Sequence, residues 1–156
     1  MNDMNLAYYP GCTLDTSAKE INDSLHQVCD RLSIHLRELP DWNCCGSSSV
    51  HAVRPQLAVS LAARNLFQAQ TFDSELMVMC AGCMNRLRVA EYHLRESPTT
   101  IRVNEEIFGN RLKKPLRVRH LLDIIPSRLQ EATWSHALQK PLFKLRYVPY
   151  YGCLLA

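Results

Sequence analysis

The chain has 156 residues, 47% of them apolar and 21% charged, which is enough for one domain with a real core and hardly enough for two. A net charge of +3 is too mild to argue for nucleic acid, and the longest apolar runs, such as Leu76-Met77-Val78-Met79, fall far short of a membrane span. From Met1 to Leu6 there is no basic region followed by an apolar stretch, so no secretory signal is read and a reducing cytoplasm is the expected compartment.

In chain order, strands and helices alternate. Leu6 to Tyr9 reads as a short strand broken by Pro10-Gly11. Ser17-x-x-Glu20 has the form of a capping box, and Ile21, Leu25, Val28 and Leu32 then share one helical face. A second strand runs from His35 to Leu39 and stops at Pro40 and Asp41. The stretch from Trp42 to Ser49 is loop-like, and Pro55 opens a helix through Leu57, Leu61, Leu66 and Ala69. Glu75 to Met79 reads as a strand apolar on both faces, as in a covered parallel sheet. A helix through Leu87, Ala90 and Leu94 follows, closed by Pro98. Further helices are read at Ile101 to Phe108, His120 to Ile125 and Gln130 to Leu138, and Phe143 to Tyr151 reads as extended. This order predicts an α/β domain: a small, mostly parallel sheet flanked by helices, with ligands gathering at the carboxyl ends of the strands.

Seven cysteines point to metal binding or catalysis before a disulfide framework, and an odd count with two adjacent residues fits disulfides poorly. Five form one spaced set: Cys12, then 31 residues, then Cys44-Cys45-Gly46, with 34 residues between Cys45 and Cys80, and finally Cys80-x-x-Cys83. Taken alone, Cys80-x-x-Cys83 is equally a thioredoxin-like dithiol or half a zinc site. Together, the five read as one metal or redox centre at the strand ends. Cys29, beside Val28 on a helix, reads as a small buried apolar residue. His51, near the Cys-Cys loop, reads first as a surface histidine, and Arg54, Arg86 and Arg88 as a solvated helix face. Tyr8 and Tyr9 read as strand packing. Tyr9-Pro-Gly-Cys12-Thr-Leu14 is echoed by Tyr150-Tyr-Gly-Cys153-Leu-Leu155, as if a second unit were opening at the carboxyl end.

The cysteine pattern resembles the cysteine-rich CCG domain family over residues 1 to about 97. Asp41-Trp-Asn-Cys-Cys-Gly46 and Tyr9-Pro-Gly-Cys12 are most similar to the B-type subunits of heterodisulfide reductases, meaning CoB–CoM heterodisulfide reductase and its bacterial relatives. The division that follows is a first CCG domain at 1–97, a helical linker region at 98–142, and the start of a truncated second repeat at 143–156. The expectation, from the lack of a ferredoxin-type cysteine run before the domain, disfavours the iron–sulfur subunits of glycolate and glycerol-3-phosphate dehydrogenases and forms of the reductase in which both modules are fused.

The resemblance implies a noncubane [4Fe–4S] cluster held by Cys12, Cys44, Cys45, Cys80 and Cys83, with Cys153 as the first ligand of a second cluster. It implies reduction of a disulfide substrate with electrons from a C-type iron–sulfur subunit, and a flavin subunit of the A type as a further partner. An ordinary cubane takes four thiolates, and five with two adjacent exceed that need. Zinc stays open, since four of the five could close a tetrahedral site. Two other functional readings stand beside the reductase: a non-catalytic electron-transfer or metal-binding interaction module, and the cysteine-rich subunit of a lactate-utilisation oxidoreductase.

Overall fold

The computed structural model describes residues 3–47, 49–72, 74–131, 140, 142, 144–150, 153 and 154. Four strands, β1 (Met4–Tyr9), β2 (Ile34–Glu38), β3 (Leu76–Val78) and β4 (Val118–His120), form one sheet in the order β2-β1-β3-β4. Every pairing is parallel, with Tyr8 opposite Glu38, Tyr9 opposite Val78 and Val78 opposite His120. The α/β expectation therefore holds, with a sheet that is wholly parallel.

Parallel sheets need both faces covered, and β1 shows why these residues suit it. Ala7 and Tyr9 pack to one face, against α4 (Pro55–Ala69) and α5 (Ala81–Glu96), through Ala62, Leu66, Leu87 and Ala90. Leu6 and Tyr8 pack to the other, with Leu25 and Cys29 of α2 (Lys19–Arg31) and Ile124 of α7 (Leu121–Glu131). From β1 the chain steps to β2 on one side and later to β3 on the other. Such a reversal opens a crevice outside the carboxyl ends of the two strands that flank it, here β1 and β3.

Several local expectations are corrected. No capping box forms: α2 begins at Lys19 behind Ala18, with no side-chain cap bond. Its buried stripe is Leu25, Cys29 and Leu32, while Ile21 and Val28 are exposed. The register shifts because Asn22, not Ile21, must face the sheet, where its Oδ1 accepts from the Tyr8 hydroxyl at 2.6 Å. Directly after Pro10 the chain turns into a short helix, α1 (Gly11–Asp15), and another, α3 (Val50–Val53), precedes α4. Pro98 opens a helix as well as ending one: α6 (Pro98–Phe108) starts there, capped by Ser97 Oγ accepting from the Thr100 N–H at 3.3 Å.

His120 closes β4 rather than opening a helix. Three residues, two of them basic, give too short an alternation for that strand to be read from sequence. Of the helix expected at Gln130 to Leu138, α7 takes the first two residues, and 132–138 lie outside the described residues. Residues 144–150 form no strand and are exposed, while Phe143 and Tyr151 lie outside the described residues.

Candidate metal centre

Three strand ends deliver the five cysteines. Cys12 sits in α1, directly after β1. Cys44 and Cys45 lie in the loop that leaves β2. Cys80 precedes the first residue of α5, behind β3, and Cys83 lies in that helix's first turn. Cys45 and Cys83 are buried, Cys80 is half-buried, and Cys12 and Cys44 are exposed, so the group opens to solvent on one side.

Hydrogen bonds link the thiols in two groups, Cys45 with Cys83 and Cys80, and Cys44 with Cys12. The Sγ atoms of Cys45 and Cys83 are 3.1 Å apart. Cys83 also hydrogen-bonds Cys80, and Cys44 hydrogen-bonds Cys12. Beneath them lies Tyr9, fully buried. Burial, and then the neighbouring charges of Cys83, Cys45, Cys44 and Cys12, push its phenol well above the ordinary value. Among the described residues, no group of three or more His, Cys, Asp and Glu side chains closes in the manner that holds a single metal ion.

The thiols differ in electrostatic character. The Cys83 hydrogen bond, and then the backbone N–H groups of Cys83 and Gly82, outweigh burial and hold Cys80 down at about 5. Those amides are unsatisfied donors of a helix amino end, which favour a thiolate. Cys45 is lowered chiefly by the Cys83 hydrogen bond. Hydrogen bonds with Cys45 and Cys80, and then burial, raise Cys83, which keeps its proton. Burial raises Cys44 against an opposing hydrogen bond from the Gly46 N–H.

Two glycines permit the close approach. Gly11, at φ +73°, has no room for a Cβ, which would lie 3.1 Å from Cys83 Sγ and 3.3 Å from the Tyr9 ring. Gly46, at φ +74°, would bring a Cβ within 3.2 Å of the Ala58 Cα. Its role is to let the Cys-Cys loop lie flat on α4, a different constraint from clearance beside the sulfurs.

Sequence reasoning missed the residues that seat these turns. Tyr9, read as packing alone, also donates its hydroxyl to the Asn43 carbonyl at 2.8 Å. His120 is buried, bonds the Met79 carbonyl through Nε2, and accepts the Leu122 N–H on Nδ1 at 3.2 Å. Those two partners hold the ring across the ends of β3 and β4. Asn65, fully buried in α4, bonds Asn43. Its sequence signal was faint: a residue that favours caps and turns, set mid-helix among alanines and leucines.

The remaining singled-out residues lie elsewhere. His51 and Arg54 are exposed. Arg86 donates to Asn85 at 2.7 Å. Arg88 is structural, with Nε and Nη2 on the Val118 carbonyl at 3.2 and 3.1 Å and Asp123 3.7 Å away. Cys29 is buried on the far face of the sheet, and burial with the Asp30 charge pushes its thiol up to about 11. Cys153 lies in an exposed turn, while Tyr151, Gly152 and Leu155 of its echo motif lie outside the described residues.

A family model described as a cysteine-rich domain, CCG, matches residues 6–88. The 8-methylmenaquinol:fumarate reductase membrane anchor subunit of Wolinella succinogenes is 28% identical over 149 residues, covering 94% of this chain and 51% of that protein. The B-type subunit of the ferredoxin:CoB–CoM heterodisulfide reductase of Methanosarcina mazei is 24% identical over 160 residues, covering 99% of this chain and 52% of that protein. An iron–sulfur protein of Methanococcus maripaludis is 29% identical over 87 residues, covering 54% of this chain and 17% of that protein. The chain thus spans about half the length of the first two relatives. No helix among the described residues is long and apolar enough to cross a membrane.

Proposed function

Because the chain belongs to the CCG cysteine-rich domain family, we propose that it is an iron–sulfur redox subunit, or part of one, of the heterodisulfide reductase type. In this reading Cys12, Cys44, Cys45, Cys80 and Cys83 hold a noncubane [4Fe–4S] cluster, and Cys153 begins the ligand set of a second. The single observation that carries it is the convergence of five thiols from three strand ends over Tyr9 and Gly11.

The donor set fits such a group. Two thiols are already low in pKa, helix amides face the sulfurs, and the glycine at position 11 leaves their approach clear. Contacts that link the thiols pair by pair suit a core with several irons, each taking its own sulfur. When bound, the cluster would supply electrons one at a time to a disulfide, which takes two electrons and two protons to become two thiols. The chain's own part is to hold the thiolates, to seat the buried side on Tyr9, and to leave the Cys12 and Cys44 side open to substrate.

Electrons would come from a C-type iron–sulfur partner protein, with an A-type flavin protein further back, in a reducing cytoplasm that keeps seven cysteines as thiols. Division into a CCG unit at 1–97, a linker region and a second unit from 143 belongs to the same proposal. The test is iron and acid-labile sulfide analysis of anaerobically purified protein, followed by disulfide-dependent oxidation of a reduced viologen. Stoichiometric zinc without sulfide would refute it.

A second reading is favoured by the fumarate reductase relative: an electron-transfer subunit that serves a membrane-attached reductase and cleaves no disulfide. A loaded chain that exchanges electrons with a quinol and leaves disulfides untouched would select it.

A further inference from the structure

The loop that carries the vicinal cysteines has no regular structure between Leu39 and Gly46, yet Cys45 within it is almost fully buried. A buried irregular segment must place its backbone donors and acceptors somewhere. Here α4 takes the Asp41 carbonyl, through Arg64 and Gln68, and both backbone groups of Asn43. Asn65 Oδ1 accepts the backbone N–H of Asn43 at 3.0 Å, and its Nδ2 donates to the Asn43 carbonyl at 2.9 Å. One amide side chain thus closes a two-way bridge on the residue immediately before Cys44, as a neighbouring strand would.

The Asn43 side chain is engaged too. Its Nδ2 donates to the Cys44 and Leu61 carbonyls at 2.8 and 2.9 Å, and its Oδ1 accepts from Arg64 Nη1 at 3.0 Å. Tyr9, the floor beneath the thiols, donates to the same Asn43 carbonyl.

Resting on the reading of the five cysteines as cluster ligands, we infer that Asn65 is the positioning residue of this centre. It acts through Asn43 to set where the Cys44 and Cys45 sulfurs stand relative to Cys12 and Cys83. The chemistry demands this side chain: the bridge needs one donor and one acceptor at the same reach, which an amide has. An aspartate offers no donor and a leucine offers neither. A glutamine offers both at a longer reach, so it restores the bonds in part.

Asn104, on α6, supplies a built-in control. It is as buried as Asn65 and donates from Nδ2 to the Thr100 carbonyl at 2.8 Å, but that bond stays within α6 instead of reaching a segment that carries a cysteine. A merely structural asparagine should behave as Asn104 does.

The experiment compares Asn65→Leu, Asn65→Asp, Asn65→Gln and Asn104→Leu in the full chain. In metal-free protein, the alkylation rate of Cys45 is read against that of Cys29, which is equally buried on the other face of the sheet. Asn65→Leu and Asn65→Asp should raise the Cys45:Cys29 ratio at least tenfold, Asn65→Gln by less, and Asn104→Leu not at all. In reconstituted protein, the same order should appear as lost iron per chain and an altered electron paramagnetic resonance signal. Should Asn65→Leu fail to fold, Tyr9→Phe removes another bond to the same carbonyl and should move both readouts part of the way.

An unchanged alkylation ratio in the Asn65 variants overturns the inference, as does a change that Asn104→Leu reproduces at equal thermal loss. If the wild-type chain takes up zinc without sulfide, the cluster reading falls. The alkylation ratio still decides the positioning role in that case.

Discussion

Gly11 and Gly109 share a left-handed backbone, at φ +73° and +61°, but differ in what surrounds them. An alanine at either costs about 1–2 kcal/mol through its backbone. At Gly11 the new Cβ also meets the Cys83 sulfur, whereas at Gly109 nothing lies within 4 Å. Both substitutions should therefore lower the melting temperature, but Gly11→Ala alone should lower iron per chain as well. Metal analysis on the two purified variants checks this.

The thiols permit a second residue-scale test, by alkylation of the metal-free chain across pH. Cys80 sits at about 5 and Cys29 at about 11. Cys80 should thus react as thiolate throughout the neutral range, while Cys29 stays inert. The signs for stability are opposite. Cys80 has a lowered value, so the folded form binds fewer protons than the unfolded chain between pH 5 and about 9. Its contribution is complete above that window and is lost as pH falls through 5. Cys29 has a raised value, so its contribution is complete below about 9 and is lost as pH climbs through 11. Mass spectrometry of labelled peptides reads the first effect, and chemical denaturation at several pH values the second.

Among elements, α5 carries both a wall of the core and two of the proposed ligands. Leu87 is fully buried in its middle, so Leu87→Ala should cost about 2–5 kcal/mol. Ser97→Ala removes the cap of α6 and should cost about 0.5–2 kcal/mol. Because α6 contributes no cysteine, the capping variant should keep its metal content unchanged, which denaturant titration and iron analysis together can read.

The elements also show what was legible in advance. Strands β1 and β3 could be read because both their faces are apolar, and the helix from Pro55 because proline fixes its first turn. The five cysteines could be read as one site because strand ends of a parallel sheet share an edge. Strand β4 was missed because it draws its stability from pairing with β3, not from its own pattern. The seat of the Cys-Cys loop was missed because a side chain that stands in for a strand leaves no period in the sequence. Asn65 is recognisable only once α4 is known to lie against that loop.

For the molecule as a whole, the centre joins segments that the unfolded chain does not hold together. Cys12, the Cys44–Cys45 pair and the Cys80–Cys83 pair follow three different strands of one sheet. A group that binds all three at once binds the folded form alone, so its affinity appears directly as stability. Extracting the proposed cluster with a chelator and returning the thiols to the reduced form should lower the melting temperature by on the order of 10 °C. Cys44→Ser or Cys45→Ser should reproduce that loss and empty the site. Cys29→Ser, on the opposite face of the sheet, should keep the metal and lose only core packing. A metal-free chain that melts where the loaded one does would mean the five thiols are not a shared ligand set. Equal metal loss in all three serine variants would mean that the ligands have been wrongly assigned.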